Sequence, residues 1–462
     1  MVRTLASLNV PILLVLSILI NPKICMGEGI LNQVDISGNL KLDKRFLVTD
    51  SVWIADYPYH ELNLKLKSNP SQNLSLYSSL KLRLWDQNLA SSSADLTRIS
   101  SSYPYELSLW EAYADLYSFI SDKLDLRIGK QRIAWGTADK LNPTDNLNPD
   151  DFSDPLNFGE KVPTEAVNAT YYITDEYNLG AIWLPSFKAI LLPRGKFPLF
   201  DDATTPPLPQ GTNLTESADH LTFPDRKVEN FIYATKFSGT IMGANFSLSY
   251  FEGYDDIPIA NRLVVTPIDT LGNVRLDTYL GFPKLHTVGI DCAGELYSIG
   301  FWGEAAVFLP EEVKMEIVMP NPVDPLNPII QDTTILSDEL YVKFTLGGDY
   351  TFKNGVYINA QWMHGFFNER GKDNLKDYCL ARVEKKFKND ELKLALTGVL
   401  EIKDIEAIKE NYGTAIIPEV SYAPADNVKL SLGAFFLDGK PGTLFDTWKE
   451  QDQIYLKTEV SF

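Results

Sequence analysis

Apolar and polar residues alternate one by one along most of the chain. A β-strand points successive side chains to opposite faces, so a period of two indicates strands with one apolar and one polar face. In one clear case Leu76, Leu80 and Leu82 share a face, while Lys81 and Arg83 share the other. Helical periodicity is almost absent. The alternation predicts eighteen strands, near 33–42, 60–68, 74–85, 105–118, 122–130, 164–173, 177–184, 228–238, 241–252, 284–293, 296–308, 338–351, 355–367, 375–387, 391–402, 414–422, 427–437 and 453–462.

The connections between these strands alternate between short and long. Turns such as 121–122 and 353–355 separate loops of up to about forty residues. A transmembrane barrel has tight turns at one end and long loops at the other, and an even strand number returns both termini to the same side. A soluble two-sheet fold would also alternate, but it gives no reason for the loops to segregate. The sequence therefore predicts an all-β fold, a transmembrane antiparallel β-barrel of about 18 strands (16–18), with short periplasmic turns and long extracellular loops.

The beginning of the chain reads as a secretory signal peptide over 1–27. Arg3 precedes the apolar run VPILLVLSILI, which is too short to span a bilayer as a helix. The barrel is then expected to occupy 28–462. A lipid anchor on Cys25 is the less favoured alternative, because Ile24 stands where a small residue is usual.

The end of the chain and the strand ends carry further membrane signals. Phe462 closes a strand whose apolar face includes Val460, a pattern similar to the signal by which the barrel-assembly machinery recognises outer-membrane barrels. Aromatic side chains gather towards strand ends, as in the girdles that barrels place at the two membrane interfaces. The predicted girdle residues are Trp85, Tyr105, Tyr177, Trp183, Phe237, Phe251, Tyr350, Phe352, Phe387, Tyr422 and Phe436.

The chain is acidic and almost free of cysteine after cleavage. Its formal charge is −19, and loss of Arg3 and Lys23 with the signal peptide leaves −21. This charge argues against a nucleic-acid partner, whose phosphates need a basic surface. Cys292 and Cys379 fall on the apolar faces of predicted strands four apart in the sheet, which is too far for a disulfide.

An eighteen-stranded barrel is wide enough to hold an aqueous lumen. The polar faces of the first strands carry basic residues beside acidic ones. One interpretation is a transverse field that orients charged solutes in transit, and the other is cross-strand ion pairs that satisfy one another. The predicted pore-lining residues are Lys65, Lys67, Lys81, Arg83, Glu111, Tyr113, Asp115, Asp125 and Arg127.

The stretch 124–152, LDLRIGKQRIAWGTADKLNPTDNLNPDDF, begins as a strand and continues as a stiff polar loop. It resembles a family of porin-type outer-membrane barrels of Gram-negative bacteria, whose pattern is an Arg-Leu-Gly-Arg-Gln strand end, a Trp-Gly pair and an Asn-Pro-x-Asp turn. The preceding strand, WEAYADL, is similar to the Glu-Ala-Tyr strand of that family. The motif covers about forty residues. The resemblance implies a pore in the outer membrane and leaves its substrate unassigned.

The same stretch supplies candidates that anchor a third loop, 131–163, and fold it inward to narrow the channel. Gly129 and Gly136 permit turns where the chain leaves the wall, and Trp135 can anchor the loop. Lys130 replaces the second Arg of the family pattern, which weakens a bidentate role there. A structural staple is favoured slightly over direct solute contact. The candidates are Gly129, Lys130, Gln131, Arg132, Trp135, Gly136, Asn142, Asp145, Asn148 and Asp150.

No catalytic constellation is visible in the sequence. The four histidines lie far apart, and there is neither a zinc spacing nor a Gly-x-Ser-x-Gly elbow. We therefore expect no enzyme, cofactor or metal. Calcium on the loop acids is an open alternative, although no calcium-loop pattern is present. These acids are Asp145, Asp150, Asp151, Asp201 and Asp202.

The function expected from these features is passive diffusion of small hydrophilic solutes across the bacterial outer membrane. The expected surroundings are outer-membrane lipid and lipopolysaccharide, and a homotrimer is possible. The alternatives are a substrate-selective channel for hydrophobic or sugar-like compounds and a non-conducting structural or adhesin barrel. An outer-membrane lipase is less favoured, since it would need a Ser-His pair near one rim.

Deleting residues 138–150 should raise the single-channel conductance, because the predicted third loop would no longer narrow the lumen. The measurement is ion current across a planar bilayer. Unchanged conductance would mean that the loop stands outside the pore.

Overall fold

The structure, a computed structural model, describes most of the chain from residue 34 to residue 462. The residues within this range that it does not describe are 49–52, 56–58, 85–89, 91, 98, 103, 194–211, 270, 322–323 and 325. The predicted signal peptide, the girdle residue Trp85 and the candidate calcium ligands Asp201 and Asp202 lie outside the described residues.

Twenty-four strands dominate the described residues. They are β1 (Val34–Val48), β2 (Trp53–Ala55), β3 (His60–Ser71), β4 (Leu74–Leu84), β5 (Tyr105–Leu116), β6 (Leu124–Gln131), β7 (Thr164–Tyr172), β8 (Tyr177–Leu184), β9 (Asn213–Leu221), β10 (Ile232–Ile241), β11 (Ala244–Tyr254), β12 (Ile259–Pro267), β13 (Asn273–Gly281), β14 (Lys284–Leu296), β15 (Ile299–Pro310), β16 (Val313–Met319), β17 (Ile329–Leu336), β18 (Tyr341–Thr351), β19 (Val356–His364), β20 (Asp377–Phe387), β21 (Leu392–Ile402), β22 (Tyr412–Ala425), β23 (Val428–Gly439) and β24 (Gln453–Ser461).

Among the described residues, helices are few and short. Two α-helices are α1 (Ile99–Ser102) and α2 (Leu444–Thr447). Single 3₁₀ turns occur at Asp95–Thr97, Val228–Asn230, Lys372–Asn374 and Lys449–Gln451. Within the described ranges, no helix has the length and apolar character needed to cross a membrane.

Eighteen antiparallel strands form one closed barrel. Around the ring they are β1, β3–β8, β10, β11, β14, β15 and β18–β24. The ring closes because β1 pairs with β3 on one side and with β24 on the other, so that Leu40 lies opposite both Leu62 and Val460. The short β2 forms an additional hairpin with β1. The predicted fold class, an antiparallel barrel of about 18 strands, is confirmed.

Each of the eighteen predicted strands coincides with one barrel strand, and the largest shift of a strand end is at the end of β1. This strand continues to Val48, whereas apolar alternation indicated an end near residue 42. The extension is charged, but Asp43 and Arg45 both point inward and pair with each other at 2.9 Å. Paired charges on the inner face let a strand continue where its sequence no longer looks amphipathic.

The two faces of the barrel wall differ in polarity. On the outer face Leu248, Ile290 and Leu432 are each more than half exposed. Their inward neighbours are polar and buried, as in Ser249 and Asp291. The barrel therefore has an apolar outer surface and a polar interior. The two free cysteines are Cys292 in β14 and Cys379 in β20. These strands are four apart in the ring, as predicted.

Most of the predicted girdle residues that the structure describes lie on the outer surface, but Phe251 does not. Tyr105, Trp183, Phe387 and Phe436 are exposed. The prediction for Phe251 is wrong, because this ring is 2% exposed and faces the lumen. It shares the inner face of β11 with two serines and packs against the third loop there, so a ring near a strand end can serve the interior instead of the membrane interface.

The remaining five strands form a separate sheet, in the order β17-β16-β12-β13-β9, which we call the loop sheet. Its strands come from three long loops, at 185–231, 255–283 and 311–340. The pairs that join different loops, β12 with β16 and β13 with β9, are parallel. One apolar cluster holds it together, with Leu263, Val265, Val274, Leu276, Met315 and Ile317 buried. Pairing between loops was not predicted, since alternation within one loop does not reveal a partner in another.

A disulfide can test the closure between β1 and β24. Directly paired antiparallel residues have Cα atoms about 4.5–5.5 Å apart, within the range that a disulfide spans. In a mature chain carrying Cys292→Ala and Cys379→Ala, Leu40→Cys with Val460→Cys should therefore oxidise completely, as measured by thiol titration after denaturation.

The matched control is Leu40→Cys with Leu456→Cys. Leu456 lies opposite Lys44, four residues along the strand from the Leu40 pair, so the two sulfurs are separated by about 13 Å. This pair should keep both thiols free. Free thiols in both variants would contradict the closed ring.

Candidate functional site

The long loop between β6 and β7, residues 132–163, lies inside the barrel, and we call it the third loop. Its hydrogen bonds reach inner faces far around the ring. The Thr144 hydroxyl donates to Glu304 of β15 at 2.6 Å. The Leu141 carbonyl accepts from Thr345 of β18 at 3.3 Å. Asp154 binds Arg45 of β1. The loop therefore crosses the lumen and contacts walls on opposite sides.

The backbone before the loop is held by Gln131, the last residue of β6. Its side-chain amide donates to the carbonyls of Arg127, Gly129 and Ala166 at 3.3, 3.3 and 3.0 Å. Gly129 has φ of +131°, and a Cβ there would lie 2.3 Å from the Ala112 carbonyl. The prediction that Gly129 marks a turn off the wall is wrong, because β6 continues two residues further. Its role is close approach to β5.

Asn148 joins the first and last residues of the third loop. Its side-chain oxygen accepts from the Ile133 N–H at 2.8 Å and from Arg132 at 3.3 Å. Its amide group donates to the carbonyls of Gln131 and Val162 and to the Thr164 hydroxyl. Arg132 also pairs with a buried Asp145 carboxylate. These bonds replace the strand ladder where the two ends of the loop leave the sheet.

Trp135 and Gly136 fix the part of the loop that faces β15. The Trp135 ring is buried against the inner wall and Phe251. The backbone carbonyl of Trp135 accepts a hydrogen bond from the Asn142 side-chain amide at 3.0 Å. Gly136 has φ of +82°, and a Cβ there would lie 2.4 Å from a Glu304 carboxylate oxygen. Only glycine fits at this position, both for its backbone conformation and for the space available.

On the side of β1 and β4 the loop is held by two arginines. Arg45 binds Asp154 through two hydrogen bonds, of 2.8 and 2.7 Å, and Arg83 pairs with Asp151. Burial alone would raise the pKa of Asp154, but the Arg45 guanidinium lowers it to about 2. Charge-assisted bidentate pairs of this kind are strong and directional.

At the loop end of the lumen the third loop contributes to an apolar cluster. The Phe152 ring is 1% exposed and lies 4.9 Å from the Phe367 ring and 6.0 Å from the Trp448 ring. Val399 and Ala415 of the wall pack against the same cluster. Residues of five loops and four barrel strands thus meet in one apolar cluster around Phe152.

Beside this cluster lies a junction of buried charges around a cavity of about 70 Å³. Lys161 pairs with Asp150 at 2.9 Å, and the Asp150 N–H donates to Asp256 at 2.8 Å. Arg370 pairs with Asp255. Burial and the nearby Asp150 carboxylate raise the pKa of Asp256. Of these residues only Asp150 was predicted. Lys161 lies in the same loop, whereas Asp255, Asp256 and Arg370 come from other loops whose proximity only the fold reveals.

The pairing of neighbouring strands places the predicted pore-lining residues on the inner face of the barrel. The pairing of β3 with β4 puts Lys65 opposite Ser79, and that of β4 with β5 puts Ser79 opposite Glu111. Lys67 and Asp125 follow the same alternation, while their roles in a pore stay predictions. Within the described residues, Lys65 and Lys67 form no ion pair.

Several of the other predicted residues are paired across strands. Arg127 binds Asp115 at 2.6 Å, and its guanidinium lies 4.2 Å from the centre of the Tyr113 ring. Lys81 lies 3.5 Å from Glu61, which Arg83 also contacts. The second of the two interpretations, mutual ion pairs, describes these contacts.

Lys130 does not belong to the constriction. It pairs with Ala112, shares a face with the exposed Ile128, and donates to the Leu109 carbonyl at 2.7 Å. This places it on the outer face of β6, so the prediction of a constriction role is wrong. A strand alternates, and inward Gly129 and Gln131 leave the residue between them pointing out.

The terminal Phe462 continues the seam that closes the barrel. Its N–H donates to the Gly38 carbonyl at 3.0 Å, and its carbonyl accepts from the Gly38 N–H at 2.9 Å. Val460 lies opposite Val428 in β23 as well as Leu40 in β1. The role of both residues as an assembly signal stays a prediction.

The loop acids bind cations of the protein. Asp145, Asp150 and Asp151 each have an Arg or Lys partner. In the part of the chain that the structure describes, no group of three or more His, Cys, Asp and Glu side chains is placed to hold a metal ion.

The fold and the site together define a closed eighteen-stranded barrel whose lumen is crossed by one internal loop. Residues 27–290 match the model of a family described as a protein of unknown function, DUF1302, and the chain belongs to this family. No curated protein matches the sequence.

Among solved structures, the chain is similar to OccK8 (OprE) of Pseudomonas aeruginosa, with 10% identity and a TM-score of 0.48 over 94% of this chain and 98% of that one. It is also similar to OccAB4 of Acinetobacter baumannii, with 9% identity and a TM-score of 0.48 over 94% of this chain and 100% of that one. A third is Pseudomonas aeruginosa OpdK with vanillate, with 9% identity and a TM-score of 0.48 over 93% of this chain and 98% of that one. At these identities the function has to be argued from the residues of this chain.

Asp154→Asn should loosen the third loop, because it removes a buried charge from the Arg45 pair. Relative to the ordinary pKa of 3.8, the value of about 2 corresponds to about 2 kcal/mol of docking free energy. We expect hydrogen exchange of the Asp151, Phe152 and Val162 amides to become at least about tenfold faster at neutral pH.

The same pair makes docking pH-dependent in the unmodified protein. Its contribution is complete above pH 4 and is lost as the pH falls towards about 2, since the folded pKa of Asp154 is the lower one. The matched control is Asp175→Asn, in an exposed turn at the other end of the barrel, which should leave exchange unchanged. Equal exchange in both variants would show that the ion pair does not hold the loop.

Proposed function

We propose that the protein is a channel of the bacterial outer membrane through which small hydrophilic solutes diffuse passively. The observation that carries this proposal is the closed barrel, apolar outside and polar inside, whose lumen the third loop crosses. A closed ring leaves no sheet edge, which is the condition for spanning a bilayer with strands. No energy source or cofactor is needed for diffusion.

The outer surface supports insertion into a membrane. Large apolar side chains line it on every part of the ring, among them Leu107, Leu248, Ile290, Leu396 and Leu432. Each would cost about 1.5–3 kcal/mol to hold in water compared with an apolar surrounding. We infer that lipid and lipopolysaccharide cover this surface, after export by the predicted signal peptide and insertion by the barrel-assembly machinery.

The inner surface supports a passage for polar solutes. Its small hydroxyl side chains, such as Ser75, Ser79, Thr397 and Ser431, point into the interior, where they leave room between the walls. Ion pairs such as that of Arg127 with Asp115 add fixed charge. A lumen of this kind favours hydrated solutes over lipids.

A non-conducting barrel is the second candidate, and one observation favours it. The apolar cluster around Phe152 joins the third loop to the barrel wall and to four further loops at the loop end of the lumen. A continuous apolar layer there would stop the flow of ions. The two candidates differ in a single measurable quantity, the ion current through the inserted protein.

Planar-bilayer recording of the purified mature protein should show stepwise ion conductance. Phe152→Ala should increase the step, because removal of a buried ring weakens loop docking by about 3–5 kcal/mol. The matched control is Phe352→Ala, whose ring is exposed at the turn end of the barrel. Absence of steps from both the unmodified protein and Phe152→Ala would exclude a channel and favour the non-conducting barrel.

A further inference from the structure

A second cavity, of about 210 Å³, lies under the start of the third loop. Inward side chains of β6, β7, β8 and β10 form its wall, and the loop residues Ile133, Ala134 and Trp135 cover it. It is three times as large as the cavity of the buried charge junction and lies on a different part of the wall. We call it the sub-loop cavity.

Three cationic side chains line the sub-loop cavity, and no carboxylate does. They are Arg127 of β6, Arg132 at the start of the loop and Lys236 of β10. They come from three different elements of the chain, so their convergence is a property of the folded barrel. The sequence indicated only the first two as candidates.

Each of these cations has an acidic partner, and the partner is always the more buried member of the pair. The exposed fractions are 37% for Arg127 against 12% for Asp115, and 27% for Arg132 against 2% for Asp145. For Lys236 and its partner Asp291 they are 18% and 5%. The three pairs are therefore dipoles whose positive ends face the cavity, while the carboxylates lie on the inner face or in the third loop and are covered by neighbouring side chains. A small anion in the cavity meets the positive ends first.

Neutral donors complete the lining. Asn168 and Thr170 of β7, Asn178 of β8 and Ser238 of β10 all face the cavity. In the described structure none of these four side chains has a hydrogen-bond partner in the protein, and one Arg127 nitrogen, Nη1, has none either. Polar groups that remain unpaired on the wall of a half-enclosed cavity are available to a solute or to water.

We propose that the sub-loop cavity is a binding site for small organic anions that carry a carboxylate. Arg127, Arg132 and Lys236 attract the carboxylate, and the neutral side chains accept or donate hydrogen bonds to the rest of the solute. The ammonium group of Lys236 also lies 5.7 Å from the centre of the Trp135 ring, within the range of a cation–π attraction. This inference rests on the proposed channel function and names the class of solute that pauses below the third loop.

Isothermal titration of the detergent-solubilised mature protein with benzoate tests the site without any need for transport. Benzamide, which has the same shape and no charge, and glucose are the comparison solutes. We expect benzoate to bind and the two neutral solutes not to bind. Equal binding of benzamide, binding of glucose alone, or no binding of benzoate would overturn the proposal.

Charge-balanced variants identify the groups involved. Arg127→Gln with Asp115→Asn, and Lys236→Gln with Asp291→Asn, remove one ion pair each without leaving a buried charge. Each should weaken benzoate binding about tenfold or more, because a hydrogen bond to a charged group is stronger than one between neutral groups. The control is Lys388→Gln, in an exposed turn, which should leave the affinity unchanged. Unchanged affinity in both double variants would also overturn the proposal.

A variant that fills the cavity tests the site without changing any charge. Gly180 lines the cavity, and a Cβ there meets nothing nearer than the Lys236 carbonyl at 3.6 Å, so a larger side chain fits on the backbone. Gly180→Leu should fill the cavity and abolish benzoate binding, and retained binding would place the anion elsewhere. Ion current is recorded in parallel: absence of current contradicts the channel, whereas current without benzoate binding contradicts only this site.

Discussion

Closure of the backbone hydrogen bonds around the ring is the constraint on which the rest of the structure depends. β1 pairs with β3 and with β24, so each of the eighteen strands has a neighbour on both sides. Inside a bilayer an unpaired N–H or C=O group costs several kcal/mol, so a barrel without an edge is one of the two architectures that can span it. Closure also fixes which face of every strand is inner, and the alternation of the sequence then decides what the lumen contains.

The third loop is held in this lumen by hydrogen bonds and ion pairs, and by one apolar cluster. A loop that leaves a sheet must satisfy its backbone groups in another way. Asn148 does so with five hydrogen bonds, which join both ends of the loop. Arg45 and Glu304 then hold the loop on opposite walls, and Phe152 enters the apolar cluster. The loop is therefore positioned by several independent contacts and not by one hinge.

The barrel strands could be predicted almost completely from the sequence, because each strand of the wall has its own alternation of apolar and polar residues. All eighteen barrel strands lie where a period of two placed them, and Gln131, Arg132 and Trp135 do lie at the base of the third loop. Errors arose where one side chain departs from the rule for its neighbours. Phe251 is an aromatic residue near a strand end that faces inward, and Lys130 is a motif residue that faces outward.

Contacts between distant segments could not be read in the same way. The loop sheet joins three loops through parallel pairs, and the buried charge junction brings Asp256 and Arg370 to the third loop. Neither arrangement produces a periodic pattern of apolar residues in the sequence. In the junction, the paired residues are separated by more than a hundred positions along the chain. Their positions follow only after the ring has closed and the loops have been placed above it.

The arrangement of charge inside the barrel also differs from what the total charge suggests. A net charge of −19 would favour cations if it were spread evenly over the lumen. In the sub-loop cavity, however, the acids Asp145 and Asp291 are nearly fully buried behind the more exposed Arg132 and Lys236. Because salt screens the distant charges over about 8–10 Å, a solute in this cavity responds mainly to the groups that line it. Local orientation of ion pairs, and not their sum, therefore decides which sign of charge this part of the lumen favours.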